Sequence, residues 1–235
     1  MMNAKDPNIA LLETVAAHLG DDLLAQMVFV GGAVAGLLIT DSAMPAIRPT
    51  EDVDLVVQAT VLREYHAVEA ALRAQGFEQD MSADAPICRW RIGTVIVDVM
   101  PMEKAVLGFA NRWYPLAINT AIAFTLPSQK VIKLITVPVF IATKLEAFAD
   151  RGKGDFLSSH DLGDIIAVID GRDNLADECK LQTPELREYL QLQFAQLIEN
   201  RALMQALPGH LSPDSASQSR LPMLEAKLHE LSRLI

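Results

Sequence analysis

The stretch Met27–Val57, MVFVGGAVAGLLITDSAMPAIRPTEDVDLVV, constrains the fold more than any other part of the chain. It opens on a short apolar run that stops at Gly31 and Gly32, the pattern of a buried strand reaching a tight turn. GAVAGLLI is small and apolar and predicts a helix packed closely on that strand. Pro45 and Pro49 punctuate the loop that follows. DVDLVVQA then alternates before turning apolar, which predicts a second strand.

The remaining punctuation extends this into two zones. VLREYHAVEAALRAQ, residues 61–75, reads as a helix ended by Gly76. CRWRI and TVIVDVM predict two strands around a turn at Gly93–Thr94, and AINTAIAFTL and KVIKLIT predict two more. From Pro138 the period changes. VPVFIATKLEAFADR is a helix with proline in its first turn, and HDLGDIIAVID is a helix capped by Ser158 or Ser159 and stopped at Gly171. Residues 183–206 and 220–235 read as amphipathic helices joined by the linker PGHLSPDSASQS. The expected fold class is therefore α+β, with a mixed α/β domain over 1–136 and a helical domain over 137–235, and there is no internal repeat.

Composition narrows the setting. With 235 residues and 51% hydrophobic content, the chain can bury a sizeable core. No apolar run reaches the length of a membrane span, since Met27–Thr40 is broken by Gly31, Gly32 and Gly36. The N-terminus reads as an amphipathic helix rather than a signal peptide. Two cysteines, Cys88 and Cys179, make neither a disulfide framework nor a metal cluster, which fits a reducing cytoplasm. A net charge of -10 argues against a general nucleic-acid coat but permits a local basic groove.

The chemistry gathers around Asp52 and Asp54. At i and i+2 on a strand they leave the same face, while Val53 points the other way into the core. Two adjacent carboxylates repel, and a divalent cation between them resolves the conflict. Mg²⁺ takes oxygen ligands and is commonly held by one or two carboxylates together with substrate phosphates. Gly31 and Gly32, between a strand and a helix, would let backbone N–H groups approach an anion at the positive end of the helix. By itself a glycine pair reads more simply as a tight turn, and a lone Asp-x-Asp as a solvated acidic turn.

Taken together, GG-x-A followed by R-x-T-x-D-x-D opening a strand resembles the polymerase-β-type nucleotidyltransferase superfamily, and more narrowly its abortive-infection-type toxins. The resemblance covers residues 27–170 and implies a nucleotidyltransferase fold, a mixed sheet flanked by helices, followed by a C-terminal helical region. It implies that the glycine pair holds a nucleoside triphosphate and that Asp52 and Asp54 bind Mg²⁺, as two ions. It also implies a third carboxylate on a neighbouring strand. Asp98 in TVIVDVMP fits that place, where it would deprotonate or orient the attacking hydroxyl; its plainer reading is an outward-facing strand residue.

In the helical half the resemblance implies that Lys144 contacts phosphates, with Arg151 two turns later on the same face. Arg151 and Lys153 would lie in a glycine-flanked loop suited to an anion, and Asp161 and Asp164 occupy the positions of the aspartate helix. Asp161 has two further readings: a helix-start aspartate favoured by the macrodipole, or a salt-bridge partner that fixes Lys144. Arg48 and Thr50 bind phosphate or shape the turn, the turn being favoured for Thr50. The span between Gly32 and Asp52 is longer than in the simplest members, which makes 40–50 an insertion.

His18 and His66 read as surface residues of amphipathic helices, and His160 as part of a capping segment. Trp90 and Trp113 are candidates to stack a base, with core packing favoured for Trp90. The implied function is transfer of a nucleoside monophosphate from a nucleoside triphosphate to an acceptor hydroxyl, such as a tRNA 3′ end, by a toxin-like enzyme with an antitoxin partner and no membrane association. Two alternatives stand beside it: modification of a small cationic molecule of the aminoglycoside kind, which the acidic composition suits, and a non-catalytic nucleotide-binding module.

Overall fold

The computed structural model describes residues 6–152 and 154–235. In chain order these form α1 (Ile9–Leu24), β1 (Met27–Val30), a 3-10 turn (Gly32–Val34), α2 (Ala35–Leu38), β2 (Asp52–Val57), α3 (Leu62–Ala74), β3 (Glu78–Gln79), β4 (Arg89–Ile92) and β5 (Val95–Pro101). There follow α4 (Lys104–Leu107), α5 (Tyr114–Thr120), β6 (Ile122–Thr125), β7 (Val131–Leu134), α6 (Val137–Arg151), α7 (His160–Asp170) and α8 (Leu175–Lys180). The chain ends with α9 (Pro184–Glu199), α10 (Arg201–Ala206), a second 3-10 turn (Leu207–His210), α11 (Ser215–Gln218) and α12 (Leu221–Leu231). No described helix is long and apolar enough to cross a membrane.

The described residues divide into two compact units, one built from Asp6–Val34 and Arg48–Thr136, the other from Ala35–Ile47 and Val137–Ile235. The first holds a seven-stranded mixed sheet of order β3-β4-β5-β2-β1-β7-β6. The β2–β5 and β1–β7 pairs are parallel and the other neighbours antiparallel. This is the α+β class with helices on a mixed sheet. Phe29, Leu55, Trp90, Val97 and Val99 are buried in the sheet, and Leu12, Val15 and Leu19 of α1 and Leu72 of α3 are buried beside it. Each such side chain contributes about 1.5–3 kcal/mol of burial. The Tyr65 hydroxyl donates to Val99 O, 2.8 Å away.

Several local expectations change. Residues 117–120 belong to the helix Tyr114–Thr120 rather than to the start of a strand, because Pro115 sits in the first turn of that helix, where its missing N–H costs nothing. The strand therefore begins only at Ile122. The helix expected behind the glycine pair is a 3-10 turn followed by the four residues of α2, too short to carry much of a macrodipole. The two-residue β3 and the short helices α4 and α8 have no clear periodicity and were not anticipated.

In the second unit, α6 packs on α7 and α9, and α12 packs on α7 and α9. Phe140, Ile165, Ile169, Leu186, Leu190, Phe194, Leu224 and Leu228 are fully buried there. Asn200 breaks the expected helix 183–206 by accepting hydrogen bonds from the Ala202 and Leu203 amides, starting α10 afresh. The PGHLSPDSASQS segment is not a free linker. The Gln218 amide donates to the carbonyls of Pro208, Leu211 and Ser212, and Leu211 and Ser217 are buried. Asp170, buried at the end of α7, receives the Arg220 guanidinium at 2.9 Å, and Arg220 also reaches Asp41 at 3.0 Å. Residues 40–47 are thereby tied to the helices, helped by the Thr40 and Asp41 amides donating to Gly171 O.

Candidate metal centre

Asp54 sits at the junction of three strands. It lies opposite Val30 of antiparallel β1 and beside Asp98 of parallel β5. Asp52 lies two residues earlier on the same face, level with Ile96. The three carboxylates each offer an oxygen within 4.8 Å of the others. Asp98 is buried and the other two are half-buried. The intervening Val53, Val97 and Leu55 are fully buried on the opposite face, so the backbone that carries the acids is anchored by packing.

Gly31 explains why Asp54 can take this position. Its φ is +70°, a conformation that L side chains avoid. A Cβ built there would lie 1.8 Å from Asp54 Oδ2 and 2.6 Å from Asp54 Cβ. The glycine is required because the aspartate occupies the space of its missing side chain.

The approach to β2 is stapled from outside the motif. Asn8, fully buried, stands at the N-cap position of α1, yet its side chain makes no cap hydrogen bond. Its Oδ1 accepts from the Thr50 amide at 2.9 Å and its Nδ2 donates to Arg48 O at 3.2 Å. The Thr50 hydroxyl then donates to Asp52 Oδ1 at 2.8 Å, so Thr50 both shapes the turn and orients one of the acids.

Sequence reasoning missed Arg89. Its Nε and one Nη donate to the two oxygens of Asp98 at 2.8 and 2.7 Å, and the same Nη lies 3.9 Å from Asp52 Oδ2. The hydrogen bonds to Asp98 raise the arginine's pKa, overcoming its partial burial. The signal was present: with a two-residue turn at Gly93–Thr94, Ile92 pairs Val95, and counting back places Arg89 opposite Asp98. Three like charges this close repel by about 3 kcal/mol per pair at the effective dielectric of a partly buried site, and Arg89 offsets part of that repulsion.

The second constellation lies in the helical unit. Lys144 of α6 places Nζ 3.0 Å from Asp161 and 2.8 Å from Asp164, which face it from one side of α7. Arg151 adds two hydrogen bonds to Asp161 at 2.7 and 2.8 Å. Burial works to raise the Asp161 pKa, but the Arg151 hydrogen bonds and the Lys144 charge outweigh it and hold the carboxyl below its ordinary value. The Lys144 side chain is only 8% exposed, whereas Arg151 is exposed. Ser159 accepts the Leu162 amide as the helix cap, leaving His160 exposed beside it. Lys153 lies outside the described residues.

The sequence candidates thus fall into two groups. Asp52, Asp54, Asp98, Gly31, Gly32, Arg48 and Thr50 belong to the sheet unit, and Lys144, Arg151, Asp161 and Asp164 to the helical unit. Trp90 is fully buried in β4 with the Arg73 guanidinium 5.0 Å above its ring, and Trp113 is buried with Arg112 at 4.9 Å. Both tryptophans are packed rather than presented to a base. His18 and His66 are exposed on their helices. No protein-family model matches the chain, and no curated protein matches it in sequence.

Proposed function

We propose that the chain is a magnesium-dependent nucleotidyltransferase that moves a nucleoside monophosphate from a nucleoside triphosphate to an acceptor hydroxyl. The observation that carries this reading is the convergence of Asp52, Asp54 and Asp98 from two parallel strands beside a glycine turn. The donor set fits the ion: all three are hard oxygen ligands, close together, on a backbone held by buried valines and leucine.

Asp52 and Asp54 would hold the ion from β2 and Asp98 from β5. When bound, the metal supplies charge neutralisation for the triphosphate and a lowered pKa for the acceptor hydroxyl. Asp98 takes the proton from that hydroxyl as its oxygen bonds to the α-phosphorus, and the bond to the departing pyrophosphate breaks. Gly31 keeps Asp54 in place, and Thr50 orients Asp52. We assign the tRNA 3′ end as acceptor, with an antitoxin as cognate partner, and Lys144 and Arg151 to phosphate binding within the helical unit.

The test incubates the protein with Mg²⁺, each labelled nucleoside triphosphate in turn, and total tRNA, with parallel reactions containing aminoglycosides and a check for label on the protein itself. An Asp52→Asn/Asp54→Asn double variant is the control. Label on tRNA that depends on both aspartates is the expected result. Label on an aminoglycoside would keep the enzyme and replace the acceptor. Nucleotide binding without transfer to any acceptor would replace the enzyme with a binding module.

A further inference from the structure

The Arg89–Asp98 pair is not accounted for by the proposed chemistry, and it bears on how the triad works. We propose that Arg89 is a positioning residue: it is a resident counter-ion of Asp98 in the cation-free protein, and it competes with the divalent cation for that carboxylate. This rests on the reading of Asp52, Asp54 and Asp98 as a metal site.

Three observations carry it. First, the grip is two-pointed and complete, since both oxygens of Asp98 accept from one guanidinium at 2.8 and 2.7 Å. A fork on a carboxylate is among the stronger polar contacts a protein makes. It occupies a lone pair on each oxygen that a cation would otherwise approach. Second, the grip is set by the backbone. Arg89 lies directly across the β4–β5 ladder from Asp98, and the neighbouring Trp90 is fully buried, so the strand cannot drift away. Third, the Arg89 side chain is 26% exposed while that of Asp98 is 11% exposed. Arg89 can therefore release toward solvent without disturbing the core, whereas Asp98 stays where the strand puts it. The remaining 3.9 Å contact to Asp52 places the same charge between two prospective ligands.

Two consequences have opposite signs, and this separates the proposal from ordinary structural support. Without a cation, Arg89 relieves repulsion among the three acids, so removing it destabilises the protein. With a cation, a fixed positive charge a few ångström from a divalent ion opposes binding, so removing it tightens the ion. A residue that merely supported the strand would lower both stability and affinity. Arginine suits the role because its charge does not titrate, so the competition is set by cation concentration rather than by pH. Asp98 becomes fully available as a ligand only when a cation arrives to displace the arginine.

The test measures Mn²⁺ binding to the full chain by electron paramagnetic resonance of the free ion, together with melting temperatures with and without Mn²⁺. Wild type is compared with Arg89→Gln and Arg89→Lys, and Asp54→Asn serves as the site control. Arg89→Gln is expected to bind Mn²⁺ about tenfold more tightly, from the loss of one unit charge facing a divalent ion. It is also expected to melt lower without Mn²⁺ and to gain more on adding it. Arg89→Lys, which keeps the charge but gives up the fork, is expected between the two, and it carries the test should Arg89→Gln fail to fold. Equal or weaker Mn²⁺ binding by the folded Arg89 variants, with wild type binding normally, overturns the role of Arg89. Absence of Mn²⁺ binding to wild type, matching Asp54→Asn, overturns the metal site itself and this inference with it.

Discussion

Replacing Gly31 with alanine isolates the contact on which the geometry of the triad depends. Two costs arise. The first is backbone: at φ +70° an alanine costs about 1 kcal/mol relative to glycine. The second is steric. The new methyl would lie 1.8 Å from Asp54 Oδ2, which a rotamer change could relieve, but also 2.6 Å from Asp54 Cβ, which it could not. Because the Asp54 Cβ is fixed to β2, either β1 and β2 must part locally or the turn must reshape, an overpacking cost of about 1–3 kcal/mol. The sum is about 3 kcal/mol. Gly108→Ala provides the internal control, since Gly108 has a φ of +85° and no atom within 4 Å of its built Cβ. It should cost only the backbone share, about 1 kcal/mol. Urea denaturation measures both variants, and Mn²⁺ titration measures the site. Gly31→Ala should lose at least 1 kcal/mol more than Gly108→Ala, and it alone should bind Mn²⁺ weakly because Asp54 has been pushed aside. If the two variants unfold at the same urea concentration and bind Mn²⁺ like wild type, Asp54 is not seated on Gly31 and the account of the turn is wrong.

Other expectations follow from the helical unit and from the thiols. Lys144→Met leaves Asp161 and Asp164 buried without their shared ammonium and should destabilise by about 3 kcal/mol or more in urea denaturation. Because the Asp161 pKa is depressed in the folded state, its contribution is fully present above the unfolded carboxylate value and is lost as pH falls through the folded one. The stability gap between wild type and Asp161→Asn should therefore narrow below about pH 4, and a gap that stays constant down to full protonation would remove the assigned cause. Asn8→Ala removes the staple on Arg48 and Thr50 and should cost about 1–3 kcal/mol while weakening Mn²⁺ binding through Asp52; unchanged Mn²⁺ affinity would disconnect the staple from the site. Burial pushes the Cys88 and Cys179 thiols up to about 12, so both should resist a thiol reagent at pH 8 in the native protein and react together in denaturant.

Some of this was readable from residue order alone, because it depends on short-range pattern. The paired aspartates of β2 share a face since strand side chains alternate, and the change from strand period to helix period near Pro138 follows from local spacing. Gly31 and Gly76 both mark left-handed backbone at element ends, as their positions suggested. Asp98 was legible as a costly acid inside an apolar strand, and the structure adds that β5 runs parallel beside β2 and brings it level with Asp54. The α5 and β6 boundary was misread because an apolar run with no clear period fits either state until Pro115 is placed in a first turn.

Other features needed the tertiary structure, because they pair residues far apart in sequence whose partners no local rule names. Nothing in the sequence singled out Asn8; only the folded chain turns its amide onto residues 48–50. Arg220, which directly follows the segment that composition marks as linker, is the partner of Asp170 fifty residues away, and that pairing ties the end of the segment to the helical core. Lys144 could be assigned to a phosphate or to an aspartate from sequence alone; packing of α6 on α7 put it within reach of two aspartates. What residue order determined was which carboxylates face the same way. What the tertiary structure decided was which charges lie beside them, since counter-ions are selected by distance in space and the chain fixes distance only between near neighbours.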